Sequence, residues 1–320
     1  MEPLDPVRLI VPAVLAFAAA WGLDHMSARK GLTPPGFREP WRRALAVLFL
    51  GLALWLGVMS PLSAIGLEVE QDLSQITTPQ LFLLHAVMVT TMLVWFLLGF
   101  AGVRPARTWP DFAPAPAVEP LLEIPEAAAP PTPLPPAPPP ASLGRQLAAQ
   151  FGFLAPSVPR EIGLGVLLGV AAWVVVLVGI VAIALLLMAM GADEALPKAP
   201  PALVPWIAGL PIVVRLMISL SAGVVEEWFF RGFLQPRIGI ALSTAFFVLA
   251  HFSYGQPFML VGITILSLLY GLLVKWRQNI WPAIAAHVLF DAVQLLVVIP
   301  SALNMMEGEG QEAAVFLGFC

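Results

Sequence analysis

The stretch Ser219–Leu234 reads SLSAGVVEEWFFRGFL and sets Glu226, Glu227 and Arg231 inside an otherwise apolar run. Charges at bilayer depth are costly, so they face a bundle interior, pair with one another and mark functional sites. The surrounding chain decides whether this run lies in a bilayer. Of its 320 residues, 59% are hydrophobic and 11% charged. A soluble domain carries roughly 25% charged residues. Mean hydropathy is +0.88. The chain reads as an all-α, polytopic membrane protein.

Working outward, apolar segments long enough to span a bilayer, about 17–25 residues, fall at 7–23, 44–66, 80–103, 162–191, 203–234, 257–274 and 280–302. A shorter one at 238–251 brings the expectation to about eight spans. The opening MEPLDPVR is acidic rather than basic, which argues against a cleaved signal peptide. Loop charges alternate. Arg29, Lys30, Arg38, Arg42 and Arg43 follow the first segment, and Glu68, Glu70 and Asp72 the second. Arg104, Arg107, Arg145 and Arg160 follow the third, Arg237 the fifth, and Lys275 and Arg277 the seventh. Under the positive-inside rule, eight spans with both termini external satisfy every loop. The expected location is a bacterial inner membrane.

Fourteen of the 33 prolines lie in 105–142. That composition reads as an extended cytoplasmic linker, with a ligand for a proline-recognising partner as the alternative. The expected organisation is a three-helix membrane module at 1–104, the linker at 105–142, a five-helix core at 143–302 and a short tail at 303–320. The segment 142–154 reads as an amphipathic helix on the inner leaflet. A net charge of -4 gives no basic face for nucleic acid, and the single cysteine, Cys320, leaves no disulfide framework or thiolate zinc site.

The ionisable residues in the back apolar segments are Arg215, Glu226, Glu227, Arg231, His251, His287 and Asp291; the front segments offer His85. A lone buried histidine is ordinarily a hydrogen-bonded helix contact, and His85 is read so. The polar chemistry is therefore expected behind the linker. Glu227 and Arg231 stand i,i+4 with the acid first, the favourable order for a helical pair. Glu226 points about 100° away and need not share that arginine. Phe247 and His251, and His287 and Asp291, repeat the i,i+4 spacing. At ~1.5 Å per residue, Glu226 lies roughly 12 Å in, His251 roughly 20 Å and His287 roughly 11 Å, compatible with one pocket nearer the cytoplasmic face.

EEWFFR, FVLAH and HVLFD fit Glu-Glu-x-x-x-Arg, Phe-x-x-x-His and His-x-x-x-Asn/Asp. In that order on successive helices, the trio resembles the CAAX prenyl endopeptidase and bacteriocin-processing (CPBP, Abi) family of intramembrane proteases, over roughly 160–300. The resemblance implies a glutamate-dependent endopeptidase acting on a peptide or lipidated protein within the membrane, with no cofactor. Glu226 would activate water and His251 would hold or polarise it. His287 and Asp291 would stabilise the oxyanion, with Glu227, Arg231 and Phe247 in support. Asp291 stands where the eukaryotic prenyl proteases have Asn. An ionised carboxylate cannot donate to an oxyanion, so Asp291 would be protonated, act through water, or orient His287.

Three other readings compete. Glu226, His251 and His287 could bind zinc as a water-activating site, although the helix-borne His-Glu-x-x-His pattern is absent. A non-enzymatic membrane adaptor or immunity protein would need the linker more than Glu226. A proton-coupled transporter would be expected to show paired inverted halves, which three plus five helices do not suggest.

Overall fold

The computed structural model describes residues 6–64, 76–103, 142–192, 194, 196–197, 203–252 and 257–309. Residues 105–141 of the expected linker, the acidic 68–72 loop and Cys320 lie outside the described residues. Among the described residues 86% are helical and none is in a strand. Helix is the form that satisfies every backbone donor and acceptor within its own segment, as hydrocarbon demands.

The helices that build the bundle are α1 (Pro6–Arg29), α2 (Pro40–Leu54) and α3 (Leu83–Phe100) in front. Behind them come α4 (Leu143–Gln150), α5 (Val158–Ala189), α6 (Ile212–Glu226) and α7 (Gln235–Ala250). The chain closes with α8 (Pro257–Arg277), α9 (Trp281–Val293) and α10 (Ile299–Glu309). A π-helical turn, Glu227–Leu234, joins α6 to α7, and a second, Gln294–Val298, joins α9 to α10. The expected segment at 203–234 is divided. Leu203–Ala208 is a separate short helix, and α6 starts only after Pro211, which takes the extended cap position.

By length and hydropathy the described residues contain seven candidate spans, of which Ile212–Ala250 has 39 residues. A straight helix of that length would reach ~58 Å, about twice the hydrocarbon thickness. It is not straight. Gly239 has φ 83 and ψ 173, a conformation that a residue with a Cβ avoids. Beyond it the chain runs back along itself. Ser243 Oγ donates to Phe230 O at 2.7 Å, the Phe230 and Phe247 rings lie 4.9 Å apart, and His251 Nε2 lies 3.8 Å from Glu226 Oε2. Ser243 and Phe247 reach back to Phe230, and His251 further back to Glu226, so the two arms run antiparallel as a helical hairpin. The seven long stretches therefore contain eight segments, and the short segment expected at 238–251 is the hairpin's second arm.

The basic loops gather at one end of the bundle. Lys30 Nζ donates to Pro236 O at 3.1 Å beside the hairpin turn. Arg42 donates to Leu98 O and Ala101 O at the end of α3. Arg277 pairs with Glu161 through two contacts of 3.0 and 2.5 Å. The start of α9 is tied to the segment after α4 by Ile280 N→Gly152 O (2.9 Å) and Trp281 Nε1→Phe153 O (2.8 Å).

Two large apolar cores hold the helices. One mixes both halves of the chain: Ala16, Leu50, Met92 and Phe96 from the front pack with Phe151, Phe229, Phe233 and Phe247 from the back. Trp95 stands edge-on to Phe233 at 5.1 Å across that boundary. The other core joins α5, α8 and α9 through Val176, Ile180, Leu266, Tyr270, Ala283 and Ala286. At Gly223 a Cβ would fall 2.8 Å from the Val288 backbone nitrogen. The missing side chain lets α6 and α9 touch backbone to backbone, the close approach small residues permit in membranes. Glu226 and Glu227 are thereby brought against the helix that carries His287.

Candidate active site

Glu226 is the last residue of α6 and Glu227 the first of the π-helical turn. Single π-turns inside helices are common at functional sites. From this junction the two carboxylates diverge into two groups of side chains.

The first group is sealed. Glu227 is fully buried and its Oε1 lies 3.1 Å from Arg231 Nη1 and 2.8 Å from His287 Nδ1. Arg231, 1% exposed, also donates through Nη2 to Ser267 Oγ (3.0 Å) and Ser267 O (3.3 Å). Ser267 Oγ in turn donates to Thr244 Oγ1 at 3.1 Å. The guanidinium lies 4.3 Å from the centre of the Phe247 ring, a cation–π contact that is strongest without water.

The second group is open at one side. The side chains of Glu226, His85, His251 and Asp291 are 14, 15, 16 and 22% exposed, against 0, 1 and 5% for Glu227, Arg231 and His287. Glu226 Oε1 faces His85 Nε2 at 3.5 Å, and Glu226 Oε2 faces His251 Nε2 at 3.8 Å. Oε2 has no hydrogen-bond partner among the described residues. His251 Nδ1 lies 2.7 Å from Phe247 O, where it can only donate. A neutral His251 therefore turns an acceptor nitrogen toward Glu226. Two acceptors at this separation suit a group that donates to both, as a water does.

His287 stands between the groups. Its Nδ1 is committed to Glu227 and its Nε2 lies 3.6 Å from Asp291 Oδ2. An imidazolium there would donate at both nitrogens. With Arg231 it would balance the carboxylates of Glu227 and Asp291. Any donation from His287 to a reacting group comes from Nε2. Phe247 connects everything: its ring is 4.5 Å from His251, 6.1 Å from His287 and beneath Arg231.

The structure therefore brings the motif residues into one place, with two departures from the sequence reading. The polar chemistry is not confined to the back of the chain, because His85 reaches Glu226. His85 does make a helix contact, its Nδ1 lying 2.6 Å from Ser221 Oγ, but its other nitrogen faces the candidate base. The rule that flags intramembrane ionisable groups pointed to it; its partner, 136 residues away at Ser221, had no signal in the chain. The other departure is that His287 is tied through Nδ1 to Glu227 while its Nε2 faces Asp291, so it bridges the two groups. Ser267 and Thr244, which extend the Arg231 network, and Tyr270, whose ring lies 5.4 Å from that of His287, carry no motif in the chain. For metal binding, no group of three or more His, Cys, Asp and Glu side chains among the described residues is placed to hold an ion.

This arrangement defines a class: a helical membrane bundle with a part-exposed carboxylate and imidazoles set against a sealed carboxylate–arginine pair. Residues 208–293 match the family model described as Type II CAAX prenyl endopeptidase Rce1-like. That region contains all the motif residues and does not contain His85. The chain is also similar to the uncharacterized protein YpbD of Bacillus subtilis (strain 168), 34% identical over 79 residues, which is 24% of this chain and 42% of that relative. The match thus spans less than half of the relative's length. No solved structure matches. The seven apolar helices and the family match make this an integral membrane protein.

Proposed function

We propose that the protein is an intramembrane endopeptidase that hydrolyses a peptide bond of a membrane-associated protein or peptide with a water activated by Glu226. The observation that carries this reading is the placement of the Glu226 carboxylate: its side chain is 14% exposed where that of Glu227 is 0%, and its Oε2, without a hydrogen-bond partner among the described residues, lies 3.8 Å from His251 Nε2. A water donating to both atoms loses one proton to Glu226 as its oxygen attacks the scissile carbonyl carbon. With His287 as an imidazolium, Nδ1–H donates to Glu227, and Nε2–H, which faces Asp291 before substrate arrives, turns to meet the new oxyanion. Asp291 orients His287 rather than donating itself. Collapse of the intermediate breaks the C–N bond, and the proton held by Glu226 passes to the leaving amine. The sealed Glu227–Arg231 pair touches no reacting atom; it holds His287 in place through Glu227.

The family match supports the endopeptidase class. The gathering of basic loops at one end supports an orientation with that end cytoplasmic and both termini external, in a bacterial inner membrane. Labelling of single cysteines at Ala137 and Gly308, in a chain whose Cys320 is replaced, tests the orientation. Labelling of Ala137 from outside only would reverse it.

The test of function is proteolysis by the purified, lipid-reconstituted chain on a library of quenched peptides with and without a farnesylated cysteine, beside Glu226→Ala. Cleavage by wild type and none by the variant is expected. Equal cleavage by both would remove the role of Glu226. EDTA-treated protein is expected to remain active. Activity lost on chelation and regained with zinc would reassign Glu226, His251 and His287 as ligands.

A further inference from the structure

We propose that the N-terminal three-helix module completes the active site, with His85 acting as a positioning residue that holds the Glu226 carboxylate in its working orientation. The proposal rests on the reading of Glu226 as the base. One imidazole on α3 engages two residues of α6: Nδ1 lies 2.6 Å from Ser221 Oγ, and Nε2 lies 3.5 Å from Glu226 Oε1.

The chemistry of the partners assigns the proton. A neutral imidazole carries one N–H. With that proton on Nδ1, Nε2 would turn a bare lone pair toward a carboxylate oxygen. With the Ser221 hydroxyl donating to Nδ1, the Nε2–H points at Glu226 and both contacts are made between a donor and an acceptor. Ser221 thus sets the tautomer, and the tautomer presents a donor to Oε1.

His251 does the opposite at the other oxygen. Its Nδ1 donates to Phe247 O at 2.7 Å, so a neutral ring turns an acceptor toward Oε2. The two oxygens of one carboxylate therefore meet different partners. The terminal torsion of a glutamate is broad and roughly two-fold, so nothing within the side chain distinguishes its oxygens. A donor at Oε1 does: it keeps Oε2 toward His251 and the attacking water. The 3.5 Å contact is longer than a formed hydrogen bond. Contacts of this kind tighten when reactants arrive.

The backbone of α3 is firmly placed for this task. Met88, Met92 and Trp95, on the helix that carries His85, are 2, 1 and 5% exposed. Trp95 packs edge-on to Phe233 just past the site. His85 also lies far upstream of the matched residues 208–293, so a protein could carry that whole region and lack this donor.

The experiment uses the full chain in lipid nanodiscs and the peptide that wild type cleaves fastest in the library. His85→Leu is expected to lower kcat about ten-fold, the worth of a hydrogen bond to a charged group, with KM within about two-fold. His85→Gln, whose amide can still donate, is expected to recover about a third or more of the wild-type kcat. Ser221→Ala is expected to lower kcat about three-fold, because the tautomer is no longer set. Nitrogen-15 NMR of histidine-labelled protein, with the His85 signals assigned by their loss in His85→Gln, is expected to show a proton on Nε2 and an Nδ1 that accepts. The NMR does not depend on turnover. If wild type cleaves no peptide, the protease reading falls while the NMR still decides whether His85 donates to Glu226. A His85→Leu protein that folds and keeps wild-type kcat overturns the proposal, as does an Nδ1–H tautomer at His85.

Discussion

Glu226 and Glu227 are neighbours in the chain and occupy opposite environments. A helix sends consecutive side chains about 100° apart, so one carboxylate enters the crevice while the other enters the core. Glu227 has a cation on one side and an imidazole on the other, within 3.1 and 2.8 Å. Glu226 has two imidazoles at 3.5 and 3.8 Å and, among the described residues, no cationic side chain against it. Each keeps one oxygen, Oε2, without a hydrogen-bond partner among the described residues. What separates them is exposure and charge: the Glu227 side chain is 0% exposed against a guanidinium, whereas that of Glu226 is 14% exposed and faces imidazoles. Phe247 lies between them, its ring shared by Arg231 and His251. On the proposed reading, the difference between these two side chains accounts for the three charges of the opening stretch: one acid for chemistry, and one acid–base pair that fixes its surroundings.

The strongest way to break this comparison is Glu226→Gln. The change keeps shape and removes the base, so turnover is expected to fall about 10³-fold with the thermal melt in detergent unmoved. Retained turnover would leave the two carboxylates without distinct roles. His251→Ala comes next. Its imidazole shares the crevice with Glu226 but is not the base, and a loss of about 10²-fold in kcat is expected from peptide hydrolysis assays. A larger loss than that of Glu226→Gln would exchange the assignments of base and helper.

Much of the sealed side was legible in the chain because it is local. The i,i+4 spacing of Glu227 and Arg231 announces an ion pair, and the structure places them 3.1 Å apart. The same spacing puts Phe247 against His251 and His287 beside Asp291. The alternation of loop charge likewise anticipates a bundle with one basic end. What was not legible depends on long-range geometry or on a single dihedral. The hairpin turns at Gly239 through a positive φ, which hydropathy does not register, so the break was expected near Leu234 to Ile238 rather than at the glycine. His85 carries no motif, and only the packing of α3 on α6 gives it Glu226 as a partner. The commitment of His287 to Glu227 needs Gly223, whose lack of a side chain lets α9 close onto α6.

Glu227→Gln sharpens the comparison from the other side. It leaves Arg231 buried with a neutral neighbour, which is expected to cost about 3 kcal/mol of stability, read as the shift in a detergent-unfolding midpoint. The His287 contact would survive in part, because the Gln carbonyl still accepts from Nδ1–H. Turnover measured on the folded fraction is therefore expected to fall far less than in Glu226→Gln. A loss of turnover equal to that of Glu226→Gln, with no loss of stability, would make Glu227 the reagent.

Ser267→Ala is the mildest change and the most selective. Ser267 belongs to α8, faces only the sealed group, and takes no part in the crevice. Its hydroxyl accepts from Arg231 Nη2 at 3.0 Å and donates to Thr244 Oγ1 at 3.1 Å. Alanine removes both bonds but leaves Ser267 O, which already accepts from the same Nη2 at 3.3 Å, so Arg231 is weakened rather than abandoned. Thr244 keeps its own hydroxyl and can donate elsewhere. A cost of about 1 kcal/mol is expected, that of a hydrogen bond to a charged group with part of its pairing retained. Because Arg231 stays paired to Glu227, and Glu227 to His287, nothing that touches Glu226 moves. kcat is therefore expected to stay within about two-fold of wild type. If instead kcat drops ten-fold or more while the unfolding midpoint stays fixed, the sealed group transmits to the reaction, and the division between the two glutamates is wrong at its root.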